Sequence, residues 1–178
     1  MEKEIILFLD LSTQNTGYSV YHNGTYYTSG TLMEKGKDGK LRSYNMLNAI
    51  ELLIYNYRPS LIIAEKLPPM QHTGQETSIF LHGGMAFLAL RNEITYRAVS
   101  TPSHWRKVLG FDQSKEENRT EKMKNQALDY ASSLTGKQIL DDNEADAICL
   151  GAAYYIEVQN IKDAFQEEKQ GELLCKTF

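Results

Sequence analysis

The apolar run Ile5–Leu9 is closed by Asp10 and then by Ser-Thr-Gln-Asn-Thr-Gly. A run this short and continuous predicts a strand buried on both faces, followed by a turn. Tyr18 to Tyr21 can return as a second strand, His22-Asn23-Gly24 carries a tight-hairpin signal, and Tyr26 to Leu32 makes a third strand. Residues 33–40 are a polar loop. Leu47, Ile50, Ile54 and Tyr57 recur at helical spacing within 43–57, and Pro59 ends that helix. Leu61 to Ala64 is another buried strand with Glu65 at its end, and the intervening helix lets it run parallel to its neighbour.

After the two-proline loop KLPPMQHTGQ, residues 76–92 read as an apolar helix. Gly83-Gly84 within it costs ~1 kcal/mol per glycine relative to alanine, which points to close helix packing, against another subunit for instance. Thr95 to Val99 is a fifth strand. Thr101-Pro102 opens a short helix that stops at Gly110. Another helix covers about 119–133. Asp142 or Asn143 caps a last core helix that runs to about Tyr155, and a charged tail follows. The order βββ-α-β-α-β-α-α-α describes one α/β domain, residues 1–158, with a tail over 159–178.

A length of 178 residues with 42% hydrophobic residues suits one core and leaves no room for a second large lobe. No apolar run approaches the ~20 residues that span a bilayer. The first residues lack a signal-peptide pattern. Cys149 and Cys175 lack metal-ligand spacing and read as free thiols, so a reducing cytoplasm is expected. The net charge of -4 argues mildly against nucleic acid, but between Arg91 and Lys124 eight basic residues face five acidic ones.

Three acids stand out by position. Asp10 and Glu65 each end an apolar strand, and Asp146 lies near the start of a helix. The carboxyl ends of neighbouring parallel strands line the functional crevice of an α/β sheet. Asp142 and Asn143 flank Asp146 on the same helical face, so either can complete the cluster. Converged carboxylates repel unless a cation sits among them, and hard oxygen donors suit Mg²⁺ or Mn²⁺. Two such ions ~3.5–4 Å apart can activate a water and stabilise the leaving oxygen of a phosphodiester. Taken singly, each acid also suits a cap or a turn; Glu65, directly after its apolar strand, fits that reading least well.

The segments FLDLSTQNTGYSV (8–20), IIAEK (62–66), TPSHWRKVLG (101–110) and DDNEADAICLG (141–151) together resemble the RuvC-type Holliday junction resolvases of the RNase H-like nuclease superfamily, the phage-encoded branch above all. The resemblance implies an RNase H-like α/β fold: a five-stranded mixed sheet, three antiparallel strands then two parallel, flanked by helices. It further implies a homodimer that makes paired nicks across four-way or otherwise branched DNA, using two Mg²⁺ ions per active site, with Mn²⁺ able to replace them, and no organic cofactor. Asp10, Glu65 and Asp146 fall on the family's acidic positions. The fourth position, usually Asp or His, is here Asn143, whose amide can donate an oxygen to a metal but cannot act as a base; Asp142 is its possible substitute.

By the same resemblance Lys107 lies in a DNA-contacting segment, with Arg106 beside it, and Lys115, Arg119 and Lys122 fall in a second basic stretch. Met70 is the candidate wedge into the junction. Trp105 reads as a packing residue rather than a stacking platform. Helix 76–92 matches the family's dimer helix. Three other readings compete: a phosphate-binding ATPase of the actin and sugar-kinase kind, which needs two lobes; a weak or inactive branched-DNA-binding module, which Asn143 keeps open; and an RNA-processing or flap-cutting nuclease of the same fold.

Overall fold

A computed structural model describes residues 4–67, 76–114 and 118–175, with side chains as far as Asp163. Met70 and Lys115 lie outside the described residues. The first apolar run forms β1 (Ile5–Asp10), and Asn15–His22 and Thr25–Met33 follow as β2 and β3. Then come α1 (Gly39–Tyr57), β4 (Leu61–Glu65), α2 (Glu76–Arg91), β5 (Thr95–Ser100), α3 (Pro102–Val108), α4 (Arg119–Thr135) and α5 (Asp142–Cys175).

The five strands make one sheet in the order β3-β2-β1-β4-β5. The first three pair antiparallel, whereas β4 joins β1 and β5 joins β4 in parallel. This is the mixed sheet expected from the sequence. β1 lies at its centre, which is why its residues are apolar on both faces. Ile6 and Phe8 point to one side, where they meet Ile63, Trp105, Ala127, Ala131 and Ile148. Leu7 and Leu9 point to the other, against Met46, Ile50, Ile62, Leu81 and Met85. Helices α1 and α2 therefore cover one face and α3, α4 and α5 the other. Each large side chain so buried contributes roughly 1.5–3 kcal/mol.

Several boundaries differ from the sequence expectation, each for a local reason. α1 begins at Gly39 rather than 43, because the Asp38 carboxylate caps it by accepting from the Lys40 and Leu41 amides at 2.8 and 3.2 Å. It ends at Arg58, in the left-handed region at φ 49°, directly before Pro59. The hairpin turn at Asn23-Gly24 has positive φ at both residues, as its sequence predicts. The two glycines of α2 divide their roles. A Cβ on Gly84 would stand 2.4 Å from Leu47 of α1, whereas one on Gly83 would meet nothing. Close packing inside the chain thus explains Gly84 alone.

The last helix departs most. Its cap is Asp141, not Asp142 or Asn143: the Asp141 carboxylate accepts from the Glu144 amide at 3.0 Å and from the Thr31 hydroxyl at 2.6 Å. Nor does it stop near Tyr155; the backbone stays helical to Cys175, without a break at 158/159. Cys149 is a buried free thiol within it. Among the described residues no helix is long and apolar enough to cross a membrane.

Candidate active site

The pairing of β1 with β4 sets Leu9 beside Ala64, so the next residues, Asp10 and Glu65, emerge together at the carboxyl edge of the parallel pair. Helix α5 supplies the third acid, and β2 and β3 hold that helix in place. The Ser19 hydroxyl donates to the Ala147 carbonyl at 2.7 Å, and the Tyr21 hydroxyl donates to the Ile148 carbonyl at 2.8 Å. From β3, the Ser29 hydroxyl donates to Glu144 at 2.6 Å, beside the Thr31–Asp141 bond. Gly17, paired with Asp10 across β1 and β2, is what lets α5 come this close. A Cβ there would stand 1.8 Å from the Asn143 carbonyl oxygen. The sequence places Gly17 in a turn; it is a strand residue that makes room for a helix.

The carboxyl groups so gathered are energetically unfavourable as anions. Burial raises the Asp10 carboxyl well above its usual range, and the Glu65 and Asp146 charges raise it further. Burial pushes Glu65 up to about 7; a hydrogen bond from Trp105 opposes the rise and Asp146 adds to it. Asp146 is pushed up to about 6, again chiefly by burial, with Arg106 opposing and Asp142 adding. The three acids predicted from the sequence therefore sense one another in one place.

Two neighbours from α3 engage this cluster. The buried Trp105 packs in the core, as expected, but its indole N–H also donates to Glu65 Oε1. Arg106 bonds to Asp146 Oδ2 at 3.2 Å, and its guanidinium carbon lies 4.7 Å from the Trp105 ring centroid. Of the two candidates for a fourth position, Asp142 lies near enough for its charge to raise the Asp146 carboxyl. The Asn143 amide is turned toward Asp141 and Asp142, at 3.4 Å from each. Asp142 is ion-paired with Lys124.

Beside the acids opens a cleft of about 270 Å³, lined by Arg106, Arg119, Thr120, Met123, Lys124, Asp142 and Asp146. It brings two of the predicted basic residues, Arg106 and Arg119, to the site. Lys124 joins them and was not singled out from the sequence, where it is one lysine among several on a mixed-charge helix. Lys107 is exposed on α3. Lys122 is not a cleft residue; it bonds to Asp112 at 2.6 Å and to Ser114 at 3.4 Å.

As they stand, no three Asp, Glu, His or Cys side chains among the described residues are close enough together to hold an ion. The chemistry of the donor set nevertheless suits a hard divalent cation. All the donors are carboxylate oxygens, and each is held above its normal pKa by burial and by its neighbours, a cost that a dication would offset.

No protein-family model matches the sequence, and no curated protein matches it. Solved structures do. RuvC of Thermus thermophilus in complex with a Holliday junction substrate superimposes with a TM-score of 0.68 at 10% identity, covering 87% of this chain and 95% of that one. The fowlpox virus resolvase, also bound to Holliday junction DNA, gives 0.56 at 16% identity over 87% and 98%. The yeast mitochondrial Holliday junction resolvase Ydc2 gives 0.59 at 14% identity over 93% and 83%.

Proposed function

These superpositions give the chain an RNase H-like fold, and from that premise we propose that it is a divalent-metal-dependent endonuclease that cuts four-way and related branched DNA. The observation that carries this reading is the gathering of Asp10, Glu65 and Asp146, acids from three distant segments, at one buried edge of the sheet. The structures that resemble it include two bound to Holliday junctions, which supports branched DNA as the substrate.

Asp10, Glu65 and Asp146 would hold Mg²⁺ or Mn²⁺. Asp142 is the better-placed fourth ligand, because it lines the same cleft as Asp146 and its charge acts on both Asp10 and Asp146. Ions bound there would supply an activated water and stabilise the departing oxygen of the phosphodiester. The chain's own cations do the binding: Arg119 and Lys124 line the adjoining cleft and suit backbone phosphates, with Lys107 exposed nearby on α3. Paired nicks need two sites. The exposed stripe Phe80, Phe87 and Leu90 on α2, with open space at Gly83, supports a homodimer through that helix.

The test is a cleavage assay on labelled four-way, three-way, flap and linear DNA, with and without Mg²⁺, beside Asp10→Asn. We expect Mg²⁺-dependent cutting of the branched forms, and loss of cutting with retained junction binding in the variant. Binding without cutting by the wild type would favour an inactive junction-binding module instead.

A further inference from the structure

α3 has seven residues, yet two consecutive side chains on it each engage one of the acids. The position of Arg106 is unusual for a surface arginine. Its side chain is 20% exposed, it spans Asp146 and the Trp105 ring, and its Nε is buried with no hydrogen-bond partner. The hydrogen-bonding capacity of the guanidinium is therefore not fully used where it sits. Its charge acts on Asp10, Glu65 and Asp146 alike, and in each case opposes the effect of burial. A second cation near Asp146, Lys124, is mostly exposed and ion-paired with Asp142.

We propose that Arg106 is a positioning residue that serves as the internal counter-cation of the metal-free site, tying off Asp146 until a divalent ion displaces it. This rests on the reading of the acids as metal ligands. Displacement is short, because Arg106 already lines the cleft beside Arg119 and Lys124. Released from Asp146, its N–H groups can turn to a DNA phosphate, so ion binding and phosphate binding favour each other. Glu65 must likewise leave the indole N–H of Trp105 to engage an ion, and α3 thus registers metal through both residues.

Trp105 is the only tryptophan in the chain, so its emission reports on this site alone. The test titrates Mg²⁺ and Mn²⁺ into the metal-free full-length protein, read by Trp105 fluorescence and by calorimetry. It compares wild type, Arg106→Gln and Arg106→Lys. Removing the competing charge should tighten Mg²⁺ binding by about tenfold or more, the lower range of what one adjacent charge does to proton affinity. Arg106→Lys should stay close to wild type. Equal or weaker Mg²⁺ binding by a folded Arg106→Gln overturns the inference while leaving the metal site intact. Absence of ion binding in every protein overturns both. Should Arg106→Gln fail to fold, Arg106→Met, which keeps an apolar stem over the Trp105 ring without the charge, takes its place: tighter Mg²⁺ binding than wild type supports displacement, and equal or weaker binding refutes it.

Discussion

Glu65→Gln should make the metal-free protein more stable at neutral pH while removing the proposed nuclease activity. The Glu65 carboxyl is raised from an ordinary 4.5 to about 7, chiefly by burial. Between those two pH values the folded protein keeps a proton that the unfolded chain has already released. Stability therefore falls as pH rises through this window. A shift of that size corresponds to roughly 3 kcal/mol, since each tenfold change is 1.36 kcal/mol. Set against a total stability of about 5–15 kcal/mol, this is a large share. Glutamine carries no charge to desolvate, and its amide oxygen can still accept the Trp105 N–H. His82 works in the opposite sense, because burial lowers its pKa from 6.5, but it is common to both proteins and cancels in their difference. The assay is thermal denaturation of both proteins in chelator from pH 4.5 to 8. The variant should match the wild type at the acid end and exceed it above pH 7 by about 6–12 °C, at 2–4 °C per kcal/mol for a chain of this size. Mg²⁺ should raise the wild-type midpoint above pH 7 and have little effect near pH 5, where protons hold the site. Parallel curves for the two proteins, or an equal Mg²⁺ effect at both ends, would refute the reasoning.

Other consequences test separate parts of the structure. Gly17→Ala should destabilise the protein by about 1–3 kcal/mol and depress cleavage, because its Cβ would strike the Asn143 carbonyl and lift the start of α5 off β2; unchanged denaturation would show that the contact yields freely. Lys107→Ala should weaken junction binding and reduce the slope of log affinity against log salt by roughly 0.9; an unaltered slope would remove Lys107 from the DNA surface. Phe87→Glu, which places a charge in the exposed stripe of α2, should convert a dimer to a monomer on gel filtration, and a wild type that elutes as a monomer would rule out that interface.

The parts of the fold legible from sequence were those whose cause is local. Ile5–Leu9 announces a central strand because both its faces are apolar, and Asn23-Gly24 announces its hairpin because few other pairs accept positive φ twice. Asp10 and Glu65 could be paired once both were seen to end buried strands separated by a helix. What escaped depends on residues far away in the chain. Gly17 resembles a turn residue until α5, whose Asn143 it faces, is laid across it. Asp141, Asp142 and Asn143 are all acceptable caps, and it is the Thr31 hydroxyl, a hundred and ten residues earlier, that holds Asp141 in the capping position. Trp105 reads correctly as a packing residue, but nothing in its neighbourhood tells that its N–H reaches Glu65, forty residues earlier. The polar stretch after Asn160 suggested a tail, yet its backbone continues α5 as helix.

On the proposed function, Asp10, Glu65 and Asp146, from three separate segments, jointly take up a divalent ion. Crystals of chelator-treated protein soaked in Mn²⁺ test this through the anomalous signal of the metal. The expected result is an Mn²⁺ peak between Asp10, Glu65 and Asp146, with Arg106 no longer on Asp146; ions bound only elsewhere, with that ion pair intact at saturating Mn²⁺, would overturn the assignment.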